Sequence, residues 1–224
     1  AWDTLLKFLN ASEFNRTDPI YERDIGFYIF QLPFYEGLQD WLFALFLTGL
    51  LVAGAVYILK GTINFSRGWQ YLIYGEAKAH ICLLLAGLAF LIAFQFWLQR
   101  YDLLYSTEGV VSGAGFTDTH ARLTALTAMG FMALALAVVF IASAGQNSLM
   151  LPITGIALYL VIYLLLYQAY PGFQQQFIVE PNELAKERPY IENNIALTRD
   201  AYNLSSVERD NYPAQGMLDR AAVE

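Results

Sequence analysis

The sequence predicts an all-α integral membrane protein: four transmembrane helices, an aromatic interfacial segment before them and a mostly helical polar tail after them. Three observations predict it. Of 224 residues, 57% are hydrophobic, 16% aromatic and 15% charged, with a mean hydropathy of +0.40, whereas an average soluble domain is roughly 45–50% apolar and about 25% charged. The apolar excess is concentrated in four runs that contain no Asp, Glu, Lys or Arg. Each run has about the 17–25 residues that cross a bilayer's hydrocarbon. The same composition excludes a disordered chain, a collagen and a disulfide scaffold. One cysteine makes neither an internal disulfide nor a cysteine zinc cage, and a net charge of −7 argues against nucleic acid as a partner.

The elements follow in order. Residues 1–38 form an N-terminal segment, 39–170 a four-helix transmembrane domain and 171–224 an acidic extramembrane tail. IGFYIFQLPFYEGLQDW (25–41) carries Phe27, Tyr28, Phe30, Phe34 and Tyr35. Asp24 is placed to cap a short helix and Pro33 to bend or stop it. Rings with polar tips suit the headgroup boundary, so this segment is expected to be interfacial. Spans follow at 41–59, 81–98, 123–144 and 149–170, the last ended by Pro171-Gly172. A bilayer offers the backbone no water, so uncharged runs of this length are helices. None is a signal peptide, because the first begins 40 residues in and no cleavage motif follows it. Ala1 is not an initiator methionine, which places the start of the numbered chain inside a longer gene product or after processing. In the tail, Glu183–Arg188 and Ile191–Tyr202 read as two short surface helices separated by Pro189. The tail has too few aliphatic residues for its own core and must lean on the membrane part or on a partner.

Charge sets the expected orientation. Lys60, Arg67 and Lys78 face only Glu76 in the loop 60–80, while the segments on the opposite side are acidic. Basic residues in short loops stay in the cytoplasm, so both ends of the chain are expected outside. Cysteines placed at Ser66 and Ser205 should then label from opposite sides.

Candidate chemistry is sparse. His80 and His120 enter different spans at opposite membrane levels, about 30 Å apart, and are not expected to share a haem. A pigment on either one alone stays open as the lesser alternative. Gly109, Gly113 and Gly115 lie in the loop RYDLLYSTEGVVSGAGFTDTHARL (100–123), but without a following GK[ST] they read as a turn rather than a phosphate cradle. Arg100, Asp102, Asp118, His120 and Arg122 are placed to pair across the mouth of that loop, and the loop is expected to dock on the tail through Arg100 and Asp102. Glu180, Glu183 and Glu187 share a helical face that reads as solvated. Cys82 behaves as a small hydrophobe, and Ser112, Ser143 and Ser148 have no nucleophile elbow. Tyr159, Tyr163, Tyr167 and Tyr170 form a stripe whose hydroxyls need partners, so it should face protein or a hydrated crevice. Gly49 and Ala53, Ala89 and Ala93, and Ala133 and Ala137 give close-packing faces. Spans without ionisable groups disfavour an ion-coupled carrier built from these helices alone.

Three blocks, DPIYERDIGFYIFQLPFYEGL (18–38), RYDLLYSTEGVVSGAGFTDTHARL (100–123) and QQFIVEPNELAKERPYIENNIALTRDAYNL (175–204), resemble a bacterial membrane family known only as uncharacterised protein family 0182. The resemblance implies about seven spans and a large soluble part in the whole protein. This chain would supply the last four spans and the start of the outer region, in a bacterial inner or internal membrane. The family has no assigned catalytic residues to carry over. The resulting expectation is a non-catalytic scaffold or accessory subunit of a larger membrane or envelope assembly. The alternatives are a component of a transport or permeation system and an outer-face enzyme acting on envelope polymer or lipid. Expected partners are membrane lipids, other subunits or missing helices of a longer chain, with no nucleic acid. No cofactor is expected beyond bound lipid.

Overall fold

The apolar runs fold as helices that extend well past their hydrophobic stretches. The computed structural model describes residues 2–63, 73, 75–107, 109, 111–146, 148–204 and 207, all helix, turn or loop apart from one isolated bridge between Thr17 and Asp24. Arg67, Ser66 and Ser205 lie outside the described residues. After a short α1 (Trp2–Leu9) come α2 (Leu32–Leu59), α3 (Gly75–Asp102), α4 (Leu123–Ala144), α5 (Met150–Ile162), α6 (Tyr170–Gln174) and α7 (Glu183–Ala201). Counted with their flanking turns, four helices are long and apolar enough to cross a membrane: Phe27–Leu59, Gly75–Tyr105, Asp118–Ala144 and Met150–Ala201.

Three expected breaks are absent. Pro33 neither stops the first helix nor separates the aromatic segment from it; Pro171-Gly172 does not end the fourth; and Pro189 lies inside an unbroken α7. A proline in a helix clashes with the carbonyl four residues earlier and leaves it without its amide partner. Ahead of Pro33, Pro171 and Pro181 that residue is Ile29, Tyr167 or Phe177. Each lies inside a widened π-turn, at Phe27–Gln31, Tyr163–Ala169 and Gln175–Val179 respectively. A π-turn rotates the crowded carbonyl aside, so the helix carries on.

The core is the α3–α4 pair. Ala86 and Ala89 meet Leu136, Ala137 and Phe140, and nearer the connecting loop Phe96 meets Leu126 and Met129. Small residues let the two backbones approach: Ala89, Ala93, Ala133 and Ala137 are all buried. The other two helices are peripheral. The most apolar stretches of the second and third helices are 44% and 33% buried, against 0% and 6% for the first and fourth. α2 touches α3 along one edge, where the Phe46 ring fits over Gly87 so closely that a Cβ there would sit 2.1 Å from it.

Both ends of the α3–α4 pair are tied off. At one end Lys78, 2% exposed, donates to the carbonyls of Ser143 (2.7 Å) and Gln146 at the C-terminus of α4. A cation there satisfies orphan carbonyls and the helix dipole together. Lys78 is therefore a buried helix clamp rather than a free loop charge. At the other end Tyr28, Leu32, Leu98 and Tyr101 cluster with Tyr21, Phe27 and Tyr35, so the aromatic segment packs on the last turns of α3. We call this end the loop face.

Candidate functional site

The loop face is built from three segments far apart in the chain. Residues 12–26 wind around two carboxylates. Asp18 accepts the amides of Ile20, Tyr21 and Arg23 and the Tyr28 hydroxyl. Asp24 accepts those of Phe14, Arg16 and Gly26. Gly26 is obligatory, since a Cβ would lie 2.3 Å from the Ser12 carbonyl oxygen. The Tyr21 hydroxyl donates to the Arg100 carbonyl and Arg16 pairs with Asp200, which joins this knot to α3 and to α7.

The connection between α3 and α4 supplies the second segment and α7 the third. Asp118, 2% exposed, accepts the Gly115 amide at 3.1 Å and the Arg122 guanidinium at 3.0 Å. Glu187, 4% exposed, turns both carboxylate oxygens to the Phe116 amide at 3.1 and 3.2 Å. Gly115 makes that approach feasible, as a Cβ would come within 3.0 Å of the carboxylate. Around this pair Thr117 donates to Gln175, Thr119 and Tyr190 share a hydrogen bond of 2.6 Å, and Asn194 donates to the Ser112 carbonyl at 2.8 Å. The Phe116 ring stacks on His120 at 4.0 Å, with the Lys186 ammonium 4.7 Å from its centre. Burial raises the carboxyl pKa of Asp118, against the hydrogen bonds from Gly115 and Ser106; burial raises that of Glu187, against the Phe116 amide. Between the loop and the chain after α5 lies a polar cavity of about 350 Å³, lined by Thr117, Asp118, Arg122, Gln175, Glu180 and Glu187 among others.

Of the residues singled out in the sequence, Asp118, His120 and Arg122 meet here. Among the described residues no hydrogen bond or ion pair joins Arg100 or Asp102 to the tail, although Asp102 lines a cavity with Pro171 and Gly172. Asp102 lies beside Glu36, and Arg100 lines a groove with Phe90 and Trp97. The loop docks on the tail through Ser112, Phe116, Thr117 and Thr119 instead. Glu187, expected in solvent, is among the most buried carboxylates; the signal available in sequence was its place in the block 175–204. Tyr159, Tyr163 and Tyr167 lie against the α3–α4 core, Tyr167 stacking on Tyr163 at 5.0 Å and edge-on to Phe96 at 5.8 Å. Tyr170 is 37% exposed, turned off that face by the intervening π-turn. His80 sits at the far end of α3, hydrogen-bonded to Tyr57 at 2.9 Å. No group of three His, Cys, Asp or Glu that could hold a metal occurs among the described residues. Chemically the arrangement is a clamp: its two buried carboxylates are engaged by backbone amides.

The whole chain, residues 1–224, matches the model of a family described as "Uncharacterised protein family (UPF0182)". A UPF0182 protein of Trichodesmium erythraeum is 53% identical over 100% of this chain, one of Synechococcus sp. JA-2-3B'a(2-13) 44% over 97%, and one of Desulforamulus reducens 38% over 100%. The chain covers 24%, 28% and 24% of those relatives, about a quarter of their length. No solved structure matches.

Proposed function

The chain belongs to the uncharacterised protein family UPF0182, and from that premise we propose that it is a non-catalytic integral-membrane scaffold, or accessory part, of a larger membrane or envelope assembly. One observation carries the reading: the apolar stretches of the first and fourth helices are 0% and 6% buried, so each of these two helices packs along one edge only and leaves its other faces uncovered. Leu51, Val52 and Val56 on α2 and Leu158, Leu160 and Val161 on α5 all lie bare. Faces of this kind fit the helices of a longer protein or of neighbouring subunits. The loop face supports the same reading, because its two buried carboxylates, though they line the polar cavity, are engaged by the Gly115 and Phe116 amides. Bacterial inner membrane is the placement that accords with the four apolar helices and the family.

Cysteines at Leu51, Val56, Leu158 and Val161 of the full-length protein in native membranes should cross-link to other helices or subunits with a bifunctional thiol reagent. Four positions that yield no adduct while labelling freely with a lipid-soluble maleimide would overturn the scaffold reading.

A further inference from the structure

We propose that the groove between α3 and α4 beneath Arg100 binds one acyl chain of an anionic phospholipid, with the lipid phosphate on the Arg100 guanidinium. The groove is an apolar slot of about 270 Å³, lined by Phe90, Ala93 and Trp97 on α3 and by Leu126, Gly130 and Phe131 on α4, with Arg100 at its loop-face end. From Phe90 to Arg100 is ten residues of α-helix, about 15 Å, which is half the roughly 30 Å hydrocarbon thickness of a bilayer. One leaflet's acyl chain fits that length.

The cation decides the occupant. Arg100 makes no side-chain hydrogen bond or ion pair among the described residues, and its terminal guanidinium nitrogens, unlike the enclosed Nε, are open to an incoming acceptor. A guanidinium at the membrane boundary without an acceptor is costly. An apolar helix laid in the groove would supply none, whereas a phosphate oxygen at headgroup depth matches the guanidinium fork. Trp97, 38% exposed beside it, is the residue type enriched at that depth. A headgroup without its own ammonium leaves the phosphate charge uncompensated, which favours an anionic lipid. The proposal rests on the transmembrane reading above.

The test is native mass spectrometry of the full-length protein in detergent, titrated with palmitoyl-oleoyl phosphatidylglycerol, with the matching phosphatidylcholine and with inorganic phosphate. Wild type should hold one phosphatidylglycerol about tenfold more tightly than Arg100→Gln does, the scale of one lost charge-assisted hydrogen bond. Arg100→Lys should keep most of the preference, and Gly130→Leu, which adds bulk to the groove's lining, should lose that lipid with either headgroup. Equal retention by wild type and Arg100→Gln would overturn the site even in a protein that remains membrane-inserted. So would unchanged retention by Gly130→Leu, the result expected if another helix fills the groove, or displacement of the lipid by inorganic phosphate.

Discussion

The Glu187 carboxylate, 4% exposed, accepts the Phe116 amide and so fastens α7 to the α3–α4 connection. Glu187→Ala leaves that amide unpaired, and we expect it to lower stability by about 1–3 kcal/mol. Thermal unfolding in a fixed detergent, with faster proteolysis after Lys186, is the check; an unchanged midpoint would refute the clamp. The tyrosine stripe divides by partner. Tyr163 accepts from Gln168 at 3.3 Å, while the Tyr159 hydroxyl is buried without a partner. Tyr163→Phe should therefore cost about 0.5–1.5 kcal/mol at most, and Tyr159→Phe should be neutral or stabilising. A larger loss at Tyr159 than at Tyr163 in the same assay would reverse that assignment. Asp24 gives a pH dependence. The Phe14 amide, followed by those of Gly26, Arg16 and Asn15, holds its carboxyl below the ordinary carboxylate range. A folded pKa below the unfolded value of about 3.9 means stabilisation present above that pH and lost as pH falls through the folded value. Amide protection at Phe14 and Gly26 should thus collapse on acidification below about pH 4, and Asp24→Asn should lack the acid-sensitive protection. Wild-type protection that is flat with pH would contradict it.

Helices here run through their prolines rather than ending at them. Pro189 shows the point. It removes one hydrogen bond from α7, yet Glu187 and Tyr190 on either side of it are fastened to Phe116 and Thr119, and the helix runs through. The π-turns ahead of Pro33, Pro171 and Pro181 do the same by geometry, and the turn at Tyr163–Ala169 also rephases the helix, parting Tyr170 from its stripe. At the opposite end, α4 depends on a residue from another helix. Lys78→Met keeps an unbranched chain of similar length but leaves the Ser143 and Gln146 carbonyls without their ammonium. The expected loss is about 1–3 kcal/mol, with hydrogen exchange rising first in the last turn of α4. Exchange confined to α3 would show that the clamp does not act on α4.

At the scale of the molecule, a packed α3–α4 pair carries a polar layer on one end and bare helices on its flanks. The layer joins Arg16, Ser112 and α7 through Asp200 and Asn194, so residues 12–26, the α3–α4 connection and the tail lie on one side. If Lys60 marks the cytoplasmic side, a cysteine at Lys60 and one at Tyr202, which is 75% exposed, should label with an impermeant maleimide only from opposite sides of the membrane. Labelling of both from one side of sealed, cysteine-free vesicles would defeat the four-span topology.

Hydrophobicity and length were enough to find the four long apolar helices, since a run such as Trp41–Leu59 has no charge and no competing structure. The same local reading put helix breaks at Pro33, Pro171 and Pro189, where the helices run on, because a proline's local penalty says nothing about a π-turn or a tertiary contact that absorbs it. It grouped Asp118, His120 and Arg122, which are near in sequence. It could not pair Asp118's layer with Glu187, or Lys78 with Ser143, because those partners are 65 or more residues apart and become neighbours only when antiparallel helices pack. Composition thus determined the class of structure. Which charges are buried, what they hold and which helix faces stay bare were decided by tertiary packing, where distance in space replaces distance along the chain.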